Sequence, residues 1–142
     1  MTVKAILREK GSKVFTMTPT ATLAEVAKEL SERRIGAVLL MQGETLKGII
    51  SERDIVRAVA QTGPSALDDA AEASMTKRVE TCGLDDPIDT VMGRMTQSRF
   101  RHMPVVEEGR LIGLVSIGDV VKRRIQEAVQ ESEELRAYIH AI

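Results

Sequence analysis

Two short stretches of the 142-residue chain carry residue types that can act together chemically. Gly48-Ile-Ile-Ser51-Glu-Arg53-Asp54 and Gly113-Leu-Val115-Ser116-Ile-Gly-Asp119 hold a glycine, a serine and an aspartate at the same spacing, 65 residues apart. Each lies where an apolar, extended run gives way to a helical pattern. At such a corner, free backbone N–H groups and the positive end of the helix dipole can receive an anion. The serine hydroxyl can donate to a phosphate or sugar oxygen. The aspartate, one turn in, can accept two hydrogen bonds from a ribose cis-diol, a geometry that a short carboxylate keeps tight. The same spacing also makes a capping box, in which serine satisfies orphan amides at the helix start. Capping accounts for one copy; both residues recurring at one offset ask for more. The two roles are compatible, because the cap organises the end that receives the ligand.

Other candidate groups are weaker. His102 could act as a base near neutrality, but its only fellow histidine is His140, in the distal tail, and no Ser/His/Asp arrangement accompanies it. Cys82 reads as a small buried hydrophobe rather than a nucleophile. Asp85-Asp86 reads as a turn and helix cap, since nothing supplies further metal ligands. No glycine-rich dinucleotide fingerprint or P-loop occurs. The run Lys122-Arg123-Arg124 reads as a solvated helix end, and the seven methionines as core filling. No catalytic or metal-binding residue is assigned.

The elements that position the two corners repeat as well. Residues 14–60 align without a gap on 79–125, with nine identities in 47 pairs, including Val14/Val79, Arg34/Arg99 and Leu46/Leu111. Each copy predicts a short extended piece (Val14–Met17; Val79–Cys82) and then a helix. The first helix is opened by the capping box Thr22-Leu-Ala-Glu25, the second by Asp86 as N-cap with Pro87 at the first helical position. Leu23, Val26, Ala27 and Leu30 match Ile88, Val91, Met92 and Met95 as the buried stripe. A hairpin follows (Ala37–Met41 with Leu46–Ser51; Met103–Val106 with Leu111–Ser116), and a last helix starts at Ser51 or Ser116. The fold class is α/β of α+β type: two β-α-β-β-α units expected to pack sheet to sheet, since about 50 residues alone bury too little apolar surface. The expected organisation is a leading helix in 1–13 with Val3, Ile6 and Leu7 inward, motif one at 14–62, a linker at 63–78, motif two at 79–127, and a helical tail at 128–142. The tail carries Leu135, Tyr138 and Ile139 on one face and is expected to pack on its own module or on a second subunit.

Composition limits the rest. Lys and Arg number 20 and Asp and Glu 21, a net charge of −1 that divides as +1 and −2 between the halves. That argues against a nucleic-acid binder held by phosphate neutralisation and gives no reason to invoke an anionic membrane. No apolar run approaches the ~18 residues of a membrane span. One cysteine excludes an internal disulfide and fits a reducing cytoplasm. With only Phe15, Phe100 and Tyr138 as aromatics, a bound base must be gripped by aliphatic side chains and backbone.

The unit order, the Gly-x-x-Ser-x-x-Asp ending and Arg101-His102-Met103-Pro104-Val105 resemble CBS motifs, and the chain resembles a tandem CBS pair, or Bateman module, of the stand-alone bacterial signal-transduction kind. The resemblance implies a non-catalytic regulatory module. It implies reversible binding of an adenine nucleotide or adenosyl compound (AMP, ADP, ATP, NAD or S-adenosylmethionine), a homodimer, and an unidentified regulated protein. It also implies sites that draw on both repeats. Site one would use Ile50, Ser51, Arg53 and Asp54 with Thr81, Cys82, Arg101, His102, Met103 and Pro104. Site two would use Val115, Ser116 and Asp119 with Thr16, Met17, Gly36, Ala37 and Val38. Site two has Gly118 in place of Arg53 and Gly36-Ala37 in place of Arg101-His102, so it is less cationic and expected to bind more weakly. The alternative from another class is a structural dimerisation module with vestigial pockets. An enzyme acting on a nucleotide is a third reading, for which the sequence offers no catalytic constellation.

Overall fold

A computed structural model describes residues 1–141. The helices are α1 (Val3–Lys10), α2 (Leu23–Arg33), α3 (Glu52–Thr62), α4 (Ile88–Ser98) and α5 (Ile117–Ala141). The strands are β1 (Thr16–Met17), β2 (Ala37–Gln42), β3 (Thr45–Ser51), β4 (His102–Glu107) and β5 (Arg110–Ser116). The chain divides into two compact units, one of residues 14–80 and one that joins residues 1–13 to 81–142.

In the first unit β1 runs parallel to β2, and β2 pairs antiparallel with β3. The core is Leu23, Val26 and Leu30 from α2 packed on Val38, Leu40 and Ile50, with Ile55 and Ala71. The Thr22 capping box forms as expected: the Glu25 N–H donates to Thr22 Oγ1 at 3.1 Å, and the Thr22 N–H to Glu25 Oε1 at 3.4 Å. The stretch 63–78 does not hang free. It makes 3-10 turns at Pro64–Asp68 and Ala71–Ala73 and buries Ala66 and Ala71. It is stitched on by Ala71 N–H to Ala21 C=O and by reciprocal bonds between Ile49 and Thr76.

The second unit repeats the architecture with its own core: Ile88, Val91, Met95, Met103, Val105, Val115 and Val120, closed by Val3, Ile6 and Leu7 of α1. Those three α1 residues face inward as the sequence predicts, although the helix runs Val3–Lys10. The repeat extends to irregular detail. Register shifts fall at Leu40/Met41 and Val105/Val106, and left-handed C-caps at Arg34 and Arg99. Both hairpin loops are two residues long, shorter than the expected strand bounds leave room for, because Gln42 pairs with Thr45 and Glu107 with Arg110.

The second copy departs from expectation at three places. Val79–Cys82 is not a strand but a single bridge, Cys82 to Val105. Pairing Thr81 with Pro104, as Thr16 pairs with Leu39, would need an N–H that proline lacks. Asp86 is not the N-cap of α4. Its Oδ2 accepts from the Gly83 N–H at 2.9 Å, Pro87 is the cap, and the Ile88 N–H donates to Met1 C=O. Finally, α5 is unbroken through the expected start of the tail, and Leu135, Tyr138 and Ile139 are exposed on their own unit, which excludes the first of the two packings expected for the tail and does not bear on the second. Ile142, where the expected tail ends, lies outside the described residues.

Candidate functional site

Each unit presents one corner, where its second hairpin strand becomes a helix. In the first unit Ser51 ends β3 and caps α3, and its N–H and hydroxyl both donate to Asp54 Oδ2, at 2.8 and 3.1 Å. Asp54 Oδ1 stands 3.6 Å from the Arg57 guanidinium. Around the corner lie residues the sequence assigned to the other site. Ala37 is the cross-strand partner of Ser51 and Val38 of Ile50, and the Glu52 N–H donates to Gly36 C=O. Thr16 and Met17 follow on the neighbouring strand, opposite Leu39 and Leu40.

The corner of the second unit is built alike. The Ser116 N–H donates to Asp119 Oδ2 at 2.9 Å and the Asp119 N–H to Ser116 Oγ at 3.1 Å. His102 pairs with Ser116 and Met103 with Val115, and the Ile117 N–H donates to Arg101 C=O. Cys82 sits beside Pro104, its N–H donating to that carbonyl at 3.0 Å, while Thr81 C=O receives Arg94 at 3.0 Å. The expected capping role of both motifs is thus realised in full, on one oxygen of each carboxylate.

Burial sorts the predicted residues. Ile50, Val38, Ala37, Met103, Pro104 and Val115 have side chains in the core, so at these corners they can offer a ligand only backbone groups and shape. Cys82 is buried too. Desolvation, reinforced by the charge of Asp86, lifts its thiol to about 11, although the Arg94 charge pulls the other way. It is a protonated, inert thiol at neutral pH, as its sequence context predicts. Arg53, Arg101, Thr81 and Thr16 are exposed, and Ser51, Asp54, His102, Ser116, Asp119, Met17 and Gly36 half-buried.

The two corners differ in a way the sequence does not signal. Lys10, at the end of α1, donates its ammonium to Asp119 Oδ2 at 2.6 Å and to Leu114 C=O at 2.9 Å. Burial pushes the Asp119 carboxyl up, but the Lys10 hydrogen bond, the Ser116 bonds and the Lys10 charge together outweigh it and hold the group below its ordinary value. A lysine 109 residues away along the chain leaves no trace in local spacing. No group of metal-binding residues occurs among the described residues, and no described helix is long and apolar enough to cross a membrane.

Comparison with known proteins agrees with this geometry. The CBS domain family profile matches residues 3–61 and 70–125. The CBS-domain protein ATU1752 of Agrobacterium tumefaciens is 43% identical with a TM-score of 0.86, covering 87% of this chain and 99% of that one. The CBS domain protein PAE2072 of Pyrobaculum aerophilum, solved in complex with AMP, is 32% identical with a TM-score of 0.74, over 84% and 89% of the two chains. The CBS domain pair of protein MJ0100, solved with 5-methylthioadenosine and S-adenosyl-L-methionine, is 28% identical with a TM-score of 0.79, over 89% and 98%. Two matched stretches, each a helix followed by a hairpin that ends in a Ser/Asp corner, place the chain in the CBS-domain family as a tandem pair of CBS motifs.

Proposed function

We propose that this CBS pair is a non-catalytic regulatory module that reversibly binds an adenine nucleotide (AMP, ADP, ATP or NAD) and passes its occupancy to a partner protein. The observation that carries the reading is the duplicated corner: a hydroxyl and a carboxylate at a helix N-terminus, twice, on a frame whose relatives are solved with AMP and with adenosyl compounds. Asp54 and Asp119 would accept from ribose hydroxyls, and Ser51 and Ser116 would donate to phosphate or sugar oxygens. Arg53 beside the Ser51 corner, and Arg101 and His102 beside the Ser116 corner, would favour a phosphorylated ligand. The Ser116 corner would be the weaker ribose acceptor, because Lys10 already claims the Asp119 carboxylate. Signalling follows only to the extent that ligand binds two states of the module unequally.

Titration calorimetry with AMP, ADP, ATP and NAD tests the reading and is expected to find at least one binder. Asp54→Ala should weaken that binder by roughly tenfold or more, the value of one lost charge-assisted hydrogen bond. Because Asp54 also caps α3, Thr22→Ala is the control: it removes a capping box of the same kind from α2 and should leave affinity unchanged. Equal losses in the two variants would reduce Asp54 to a cap. One observation favours the alternative of a structural module with vestigial pockets: both carboxylates already serve as caps. Under that reading the unfolding temperature would not respond to any of the four nucleotides.

A further inference from the structure

Lys10 reaches the Ser116 corner from the end of α1 and saturates one of its acceptors. Its ammonium donates to Asp119 Oδ2 at 2.6 Å and to Leu114 C=O at 2.9 Å, two of the three bonds an ammonium can make. The Ser116 N–H takes the second place on the same oxygen, at 2.9 Å, so Oδ2 has no room left for a ribose hydroxyl. The Ser51 corner is built without such a group. The 65-residue offset sets Met75 against Lys10, and the edge carbonyl of Ile49, the counterpart of Leu114, accepts from the Thr76 N–H. Arg57 stays 3.6 Å from Asp54 Oδ1, beyond hydrogen-bond range.

The contact can be undone without opening the core. Lys10 is the last residue of α1, and its side chain is 39% exposed. The helix is held without it. Val3, Ile6 and Leu7 sit in the core, Glu9 faces Lys122 and Arg123 at 3.5 Å, and the Gly11 N–H closes the last turn on Leu7 C=O. Gly11, Ser12 and Lys13 beyond it are exposed, so an ammonium that leaves Asp119 enters water.

We propose that Lys10 is a displaceable latch on the Ser116 corner, holding the Asp119 carboxylate in the free protein and giving it up to the ribose diol of an entering nucleotide. Resting on that corner's reading as a nucleotide site, the latch supplies the two states that signalling requires: one with Lys10 on Asp119 and one with its ammonium in solvent. A nucleotide fits only the second, so its apparent affinity scales with the fraction of molecules in which the latch is open.

Titration calorimetry in an Asp54→Ala background reads the Ser116 corner alone. Adding Lys10→Met should tighten binding of AMP, ADP, ATP or NAD there by about two- to fivefold, the fold-change that corresponds to a partly exposed ion pair. Lys10→Arg, which keeps a cation in reach, should show no gain. A second measurement needs no change at Asp54: amine acetylation followed by mass spectrometry. Lys10 should react more slowly than the exposed Lys28 in the free protein, and both Asp119→Asn and saturating nucleotide should speed it up. An affinity that falls or stays level in Lys10→Met overturns the latch. So does a Lys10 whose reactivity ignores either Asp119→Asn or the nucleotide. Where the unaltered protein binds a nucleotide and these arms fail, the latch alone is lost; where neither it nor Lys10→Met binds any of the four, the nucleotide reading is lost as well.

Discussion

Lys10 and Asp119 make a contact whose strength can be read by acid. Asp119 is held below its ordinary value in the folded chain. A carboxyl depressed by folding contributes stability that is fully present above its unfolded value, near 4, and is lost as pH falls through the lower folded value. Lys10→Met removes the ammonium whose hydrogen bond and charge depress it and leaves the Ser116 bonds in place. The variant should be less stable by about 0.5–1 kcal/mol at neutral pH, the scale of a partly exposed ion pair. The gap to the parent should close as pH drops below about 4. Denaturant melts at a series of pH values measure this; a gap that stays constant with pH would assign the lysine's contribution to its aliphatic stem. At this scale the sequence was informative wherever partners are three residues apart: the boxes Thr22/Glu25, Ser51/Asp54 and Ser116/Asp119 form as read. It was silent on Lys10, whose partner is reached only through the fold.

At the scale of elements, the glycines that lead both motifs have a steric reason that does not involve a ligand. A Cβ on Gly48 would stand 2.5 Å from Met75 Sδ and 2.8 Å from the Thr76 carbonyl oxygen. One on Gly113 would stand 2.8 Å from the two methyl carbons of Leu7. In each unit a covering segment crosses the last strand so closely that only glycine fits. The costs should differ. The Leu7 side chain can rotate away, whereas Thr76 is fixed by reciprocal backbone bonds to Ile49. Gly48→Ala should therefore cost about 2–3 kcal/mol and Gly113→Ala about 1 kcal/mol, both within the range for overpacking. Thermal melts of the two variants decide it, and equal losses would mean that the 75–76 segment yields as readily as a side chain. The sequence marked both glycines by their offset but gave no sign of what covers them. Likewise, the missing N–H of Pro104 shortened a strand that apolar patterning alone would place at Val79–Cys82.

For the molecule as a whole, the covering segments come from distant parts of the chain. The first unit is closed by residues 63–80, which follow its motif, whereas the second is closed by residues 1–13, separated from it by the whole of the first. The repeat read from sequence begins at residue 14 and misses this, because a segment's hydrophobic spacing tells which face is buried but not against what. Residues 3–10 could be recognised as an inward-facing helix, yet nothing local directed them to Leu84, Asp86 and Gly113. The arrangement makes a prediction about where a defect is felt. Ile6→Ala removes a nearly fully buried side chain from the second core and should cost about 2–4 kcal/mol there. Amide exchange by mass spectrometry should then rise across His102–Ser116 and at Ile88–Met95, while Ala37–Ser51 keeps its protection. Local opening of this kind follows the packing of each cooperative unit rather than the order of the sequence. Exchange that rose instead at 37–51, the stretch nearer to residue 6 along the chain, would mean that α1 supports the motif it precedes and not the one it covers.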